Sequence, residues 1–366
     1  MDFDPLKVLS VRMRFKSAVL LPILTAYVVI TVVIFFRAVI PSYDTDTTSW
    51  TFAVDSTQYV YMADSLREGR NEPWVLAAFA TFPNTVITPV LIALVLNSAF
   101  LEMLFNFFVF AVSIILLKRV FPISPVMLLA LLLLNPTTTT SLLCVNKEVL
   151  DLFCLSLFLY SQRKRSRGLL LLALGLALLN RYEFCIVILG FIVAQSRANP
   201  WRLRRLITLI FLVILLNFSV PLSGGHALAQ RFEEAQYGGF IRALDLLQLN
   251  YMYALAVIPK IAENIFGQLV NLQVWREPTS WLYINFFNNL SYVVLTMIVF
   301  VKRQMRLRND LIYFGAIGSV IIAQSLVVQP RYFYFLYALL CLQAAHREAR
   351  GPAIAHLPQH QELVHA

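Results

Sequence analysis

Long stretches of this chain carry almost no polar residue, and short polar segments separate them. Apolar runs cover Ser17–Phe36, Asn84–Asn97, Phe100–Leu117, Ile123–Leu134, Val149–Tyr160, Gly168–Asn180, Phe184–Gln195, Leu206–Val220, Trp281–Val301, Leu311–Val328 and Tyr332–Ala345. They are rich in Leu, Ile, Val and Phe, and none shows the period-two alternation of a membrane β-strand. In hydrocarbon every backbone polar group needs an internal partner, so such runs predict helices. The pattern therefore predicts an all-α fold, a polytopic transmembrane helical bundle of about ten to twelve spans. Residues 1–345 read as a single transmembrane domain. Two of its segments stand apart: residues 37–83, a polar loop with a juxtamembrane helix, and residues 221–280, which are amphipathic. Residues 346–366 read as a polar tail. No small-residue cleavage pattern follows the first run, so it is expected to be a retained span rather than a signal peptide.

Composition agrees. Hydrophobic residues make up 59% and charged residues 14% of the chain, where a soluble domain carries about 25% charged residues. A net charge of +10 would suit nucleic acid, but its distribution excludes that partner. Twenty of the 30 basic residues sit in six clusters between apolar runs. These are Lys7–Lys16, Lys118–Arg119, Arg163–Arg167, Arg197–Arg205, Lys302–Arg308 and Arg347–Arg350. Basic clusters mark the cytoplasmic side, so both termini are expected there, with membrane lipids as surroundings. The alternation then puts Asn146–Glu148, Asn180–Glu183 and Gln329–Arg331 on the outer side, with segments 37–83 and 221–280. An odd number of passes must link the outer acidic loop to cytoplasmic Lys118, yet only two runs lie between them. Either one is re-entrant or interfacial, or Trp74–Phe82 adds a short pass. The four cysteines (Cys144, Cys154, Cys185, Cys341) lie in or beside apolar runs and form neither a disulfide framework nor a CxxC metal site.

The outer segments carry the chemistry. Asp55, Tyr59, Met62 and Leu66 fall on one helical face, with Gly69 as a stop. Asp55 suits a helix N-cap, and a capping carboxylate can also face a site. In Asn146–Lys147–Glu148, Asn146 suits a cap and Lys147 a pair with Asp151 at i+4. Ionised groups entering an apolar run are nonetheless read as functional. Arg181, in the tight turn Asn180–Glu183, suits a pair with Glu183 or Glu148, or a phosphate. Arg331 follows Pro330, and Tyr332, Tyr334 and Tyr337 suit an aromatic belt. Carboxylates beside cations at headgroup depth fit transfer from a lipid phosphate: fixed positive charge meets the leaving group, and a carboxylate takes the acceptor proton.

On Asp55…Tyr59…Gly69, Asn135–Pro136…Asn146–Lys147–Glu148, Arg181 and Pro330–Arg331–Tyr332, the chain resembles the GT-C superfamily of polytopic membrane glycosyltransferases. Within it, the chain looks most like bacterial polysaccharide-assembly proteins, including repeat-unit polymerases. The resemblance implies an inner-membrane enzyme with a polyprenyl-phosphate- or pyrophosphate-linked sugar donor and a glycan acceptor, working beside other polysaccharide-assembly proteins. It implies Asp55 as catalytic base, with Asp44 and Asp46 as substitutes, and Lys147, Glu148, Arg181, Glu183, Arg331 and Tyr332 at the substrate. No Asp-x-Asp-type metal motif stands in the second outer loop, so no cofactor is evident, and a divalent metal stays open as the alternative. The alternative from another class is a transporter or flippase of a lipid-linked or charged solute, which would show paired repeats and charges near the bilayer midplane.

Overall fold

The computed structural model describes residues 17–34, 56–69, 72–73, 75, 79, 86–94, 98–144, 147–196, 204–218, 240–271, 276, 280–302, 304–307, 309–324 and 330–346. Among them every regular element is helical; an isolated bridge joins Ile123 and His346. The helices are α1 (Ser17–Ile34), α2 (Ser56–Arg67), α3 (Ile87–Leu94), α4 (Ala99–Val120), α5 (Pro125–Leu133), α6 (Pro136–Leu143), α7 (Glu148–Lys164) and α8 (Arg167–Asn180). They continue as α9 (Tyr182–Gln195), α10 (Arg205–Leu216), α11 (Phe240–Leu249), α12 (Tyr253–Phe266), α13 (Ser280–Val301), α14 (Asp310–Ile322) and α15 (Tyr334–Ala345). Short 3-10 turns, Gly267–Leu269 and Pro330–Phe333, precede α13 and α15.

Among the described residues two helices are long and apolar enough to cross a membrane, Phe100–Val120 of α4 and Leu282–Val301 of α13. A third span results if α5 and α6, bent by 89° at their junction, count as one. Helices α8, α9, α10 and α14 are apolar but have only 12 to 14 residues. At 1.5 Å per residue that is about 18–21 Å, short of a hydrocarbon core of about 30 Å.

The polar stretch Asn135–Thr140 separates two apolar runs in the sequence, but it caps and opens the helix α6. Asn135 and Pro136 start it rather than interrupt it. The Asn135 side chain accepts from Thr137 N at 2.8 Å and Pro136 takes the first helical position, where no N–H is needed. The threonines stay helical because Thr140 Oγ1 bonds back to Thr137 O at 3.1 Å and Thr138 Oγ1 meets the Tyr334 hydroxyl at 2.9 Å.

One end of the bundle gathers the described residues of the basic clusters around Lys118, Arg205 and Lys302, while Lys7–Lys16 and Arg347–Arg350 lie outside the described residues. Arg205 pairs with Asp310, which also accepts from Gln195 Nε2 at 3.4 Å. Lys302 Nζ donates to Ala344 O at 2.7 Å, Gln343 to Asn309 at 3.0 Å, and Ser124 N to Ala345 O at 3.4 Å. Lys118 and Arg119 close α4 beside Ser124. These contacts make α4, α9, α13 and α15 run toward this end, and α5, α10 and α14 away from it.

Aromatic rings fill the core. Phe314 stacks on Phe158 at 5.4 Å and meets Phe191 edge-on at 5.0 Å, while Phe184 and Phe335 lie 5.9 Å apart. A Cβ on Gly318 would run into the Phe335 ring and touch Val187, so α9, α14 and α15 approach through that glycine. Tyr334 and Tyr337, expected in an interfacial belt, are instead fully buried, and Tyr337 donates to Leu131 O at 2.6 Å. In α2, Tyr59, Met62 and Ala63 pack on Val75 and Ile92, whereas Leu66 is exposed. The buried face follows i, i+3, i+4 and stops a turn short of Leu66. Gly69, at φ +62°, ends the helix as expected.

Beyond the spans, α11 and α12 form a hairpin around Lys260, whose Nζ lies 2.8 Å from Asp245 and donates to Gln248 Oε1 at 2.6 Å. Burial pulls the Lys260 ammonium below its ordinary range against the attraction of Asp245. Gln248 in turn donates to Gln324 O, tying the hairpin to the end of α14. The substitution Asp245→Asn removes the counter-charge beside a buried ammonium and is expected to cost about 3–5 kcal/mol. Lys260→Met, which removes the charge itself, is expected to cost less. Urea titration of the detergent-solubilised protein compares the two.

Candidate functional site

The end of the bundle opposite the basic loops holds a buried charged cluster. It is built from the start of α7, the turn between α8 and α9, and the 3-10 turn before α15. Lys147 stands at the N-cap position of α7 and makes no side-chain cap hydrogen bond. Glu148 and Asp151 fill the first turn, where carboxylates complement the helix dipole. Both are buried, Glu148 completely.

Arg181 is the corner between α8 and α9. Its backbone is extended, its N–H closes α8 on Ala177 O at 2.7 Å, and its carbonyl opens α9 by accepting from Phe184 N at 2.9 Å. Its side chain, 7% exposed, reaches back to α7. Nη2 donates to Glu148 Oε1 at 3.3 Å, and Nη1 lies 3.3 Å from Asp151 Oδ2. The second contact is an ion pair without hydrogen-bond alignment, because Nη1 has no hydrogen-bond acceptor. Asn180 completes the arrangement, with Nδ2 donating to Asp151 Oδ1 at 2.8 Å and to Lys147 O at 3.1 Å. Ser141 of α6 donates to Glu148 Oε2 at 3.3 Å.

Two tyrosines extend the cluster. The Arg181 guanidinium lies 4.8 Å from the Tyr332 ring centroid, and that of Arg331 lies 5.7 Å from the same ring. The Lys147 ammonium lies 5.1 Å from the ring of Tyr59 on α2. Cations over rings in a desolvated place gain roughly 2 kcal/mol. Arg331 itself is buried.

Of the residues expected at the substrate, Lys147, Glu148, Arg181, Arg331 and Tyr332 thus meet here. Glu183, in the first turn of α9, stands close enough to Arg181 to act on its charge, and its Oε2 is buried without a hydrogen-bond partner. Asp55, Asp44, Asp46 and Asn146 lie outside the described residues. The pair expected between Lys147 and Asp151 gives way to Asp151 with Arg181 and Asn180, because the tertiary partner brings two charge-assisted contacts that an i+4 neighbour does not. Of the two pairs expected for Arg181, with Glu183 or with Glu148, the structure forms the one with Glu148. Sequence reasoning missed Asn180 and Ser141. The signal for both was a polar residue on the inner face of an apolar helix end.

Among the described residues no three His, Cys, Asp or Glu side chains are grouped to hold a metal ion. All four cysteines are free and buried. Comparison with family models, with characterised proteins and with solved structures gives no match to this chain. The arrangement offers fixed positive charge around an aromatic ring, braced by carboxylates, which is chemistry for an anion with an apolar or ring-bearing neighbour.

Arg181→Met removes the cation and leaves two carboxylates buried side by side. It is expected to destabilise the protein by about 3–5 kcal/mol. The double variant with Glu148→Gln is expected to recover part of that loss, as a thermal unfolding series on the purified protein would register.

Proposed function

We propose that this protein is a polytopic glycosyltransferase of a bacterial inner membrane, with both termini in the cytoplasm, acting at the outer face. It takes sugar from a polyprenyl-phosphate- or pyrophosphate-linked donor in the assembly of a cell-surface polysaccharide, by single-sugar transfer or repeat-unit polymerisation. One observation carries the reading: Lys147, Glu148, Arg181, Arg331 and Tyr332, from three separate segments, converge at the end opposite the basic loops. The alternating helix directions support a bundle with many passes, in which the short helices are packed spans. Exposed Leu171, Val193, Leu206, Ile210 and Phe300 give it an apolar outer surface suited to lipid.

In this reading the acceptor hydroxyl attacks the anomeric carbon while the bond from that carbon to the phosphate oxygen breaks. The phosphate leaves with the electron pair. Lys147, Arg181 and Arg331 stabilise the charge that develops there, and Tyr332 holds the two guanidinium groups over one ring. Glu148 and Asp151 keep Arg181 in place, and the unpartnered Glu183 Oε2 is available to a sugar hydroxyl. Asp55 takes the acceptor proton. Tyr59, four residues further along, lies under Lys147, which supports a role for that segment. Donor, acceptor glycan and other assembly proteins are the partners the reading implies. Transport is less well supported, since Glu102, Lys147 and Asp151 are buried near one end rather than strung along a path.

Asp55→Asn is expected to lower glycan assembly by about 10²–10⁴-fold, the usual worth of a positioned base, while the protein still inserts and accumulates. Near-normal glycan from that variant overturns Asp55 as the base. In a deletion strain, truncated lipid-linked oligosaccharide marks a single-sugar transferase, and complete single repeat units mark a polymerase. A normal profile overturns the function.

A further inference from the structure

One face of α13 carries asparagine where the rest of the helix is mostly hydrocarbon. Asn285, Asn288, Asn289 and Tyr292 fall at i, i+3, i+4 and i+7, and all are buried. This helix is one of the two long and apolar enough to cross a membrane. A carboxamide in such a helix needs partners, because lipid provides none.

Asn289 has its partners. Its Nδ2 donates to Asn264 O at 2.8 Å, and its Oδ1 accepts from Gln268 N at 3.3 Å. It fastens α13 to the end of α12. Asn288 is half satisfied. Its Oδ1 accepts from Asn135 Nδ2 at 2.6 Å, but among the described residues its own Nδ2 donates to nothing. Asn285, 7% exposed, makes no hydrogen bond among the described residues. Asn264 Oδ1 is buried and likewise unmet. A role as glue between helices accounts for Asn289 and for half of Asn288. It does not account for Asn285, which fastens nothing among the described residues, nor for the buried Asn264 Oδ1. A buried polar atom left unpaired calls for an explanation.

Helix α6 gives the distance from these amides to the charged cluster. Its cap, Asn135, bonds Asn288 and Ser291, and Ser141, six residues on, bonds Glu148. Six helical residues rise about 9 Å. The asparagines and the Glu148–Arg181 pair therefore lie at opposite ends of one transverse helix. Tyr292 also donates to Phe333 O at 2.6 Å, which joins the asparagine face to the turn that carries Arg331 and Tyr332. Asn285 lies one turn from Asn289, about 5.4 Å, on the side away from the Lys302 end. The molecule thus has a charged station and an uncharged, amide-lined station a short sugar's length apart.

A lipid-linked sugar divides its polarity in the same way. Its phosphate needs cations. Its ring hydroxyls need neutral donors and acceptors, and a carboxamide offers both from one side chain. We propose that Asn285, Asn288 and Asn264 form a sugar-recognition subsite for an uncharged sugar residue whose lipid-linked phosphate occupies the Lys147–Arg181–Arg331 cluster. This inference rests on the glycosyltransferase reading and adds where the sugar is held and what kind of sugar it is.

The test uses the full chain in phospholipid nanodiscs. Affinity is measured by thermophoresis for undecaprenyl phosphate and for the same lipid bearing one glucose, galactose, mannose or N-acetylglucosamine. Wild type is expected to bind at least one glycosylated lipid about tenfold more tightly than the bare phosphate. Asn285→Leu is expected to bring that ratio close to one, leave the bare lipid unchanged, and keep or raise Tm, since it removes an unmet amide. Asn285→Ala serves as the smaller variant. A tenfold preference that survives in both variants overturns the subsite and leaves the glycosyltransferase reading standing. A wild type that binds bare and glycosylated lipids equally also overturns the subsite. A wild type that binds none of the lipids overturns both.

Discussion

Arg181 between Glu148 and Asp151 is the interaction on which the rest of this end of the molecule depends. A guanidinium that is 7% exposed in an apolar bundle is costly unless its charge is answered at close range. Two carboxylates from the first turn of α7 answer it. Because Arg181 is also the backbone corner between α8 and α9, the same residue fixes three helix ends at once. Tyr332 lies against its exposed face and brings Arg331 with it. The cluster is therefore a consequence of one buried cation finding its counter-charges, with a second cation carried in on a shared ring.

The corner between α8 and α9 explains why that cation is buried at all. Each of these helices has 14 residues, about 21 Å, and both end at Arg181. A charged residue where three helix ends pack together must be met inside the protein. Helices α8 and α9 both stop at Arg181, and the polar groups of α7 rise to meet it.

The sequence was legible where membrane physics writes directly into composition. The basic clusters marked one end, and Arg205, Lys302 and the Ser124–Ala345 contact do gather there. Arg181, Lys147 and Arg331 could be picked out as the basic residues those clusters leave behind. The Arg181–Glu148 pair was one of two that the sequence offered, but most other partner choices could not be read. Asp151 has a lysine at the favourable local spacing and still turns to Arg181 and Asn180, which are near only after three helices fold. The threonines after Pro136 look like a linker until Tyr334 and Glu148 arrive to take the hydroxyls of Thr138 and Ser141. Tyr334 and Tyr337 look interfacial until their acceptors are known. In each case the missing information was a residue far away in the chain.

That distance has a consequence for how the protein is made. Tyr337 bonds Leu131, Tyr334 bonds Thr138, and Asn288 bonds Asn135, with separations of 206, 196 and 153 residues. At a synthesis rate of 5–20 residues per second, the later partner follows the earlier by roughly 10–40 s. For that interval Leu131 O, the Thr138 hydroxyl and the Asn135 Nδ2 lack the partners they have in the folded chain. A nascent bundle in that condition is better kept beside the insertion machinery, or some other polar shelter, than released into lipid. The angle between two short helices thereby sets a timetable: the chain cannot be let go until its last helix has been delivered.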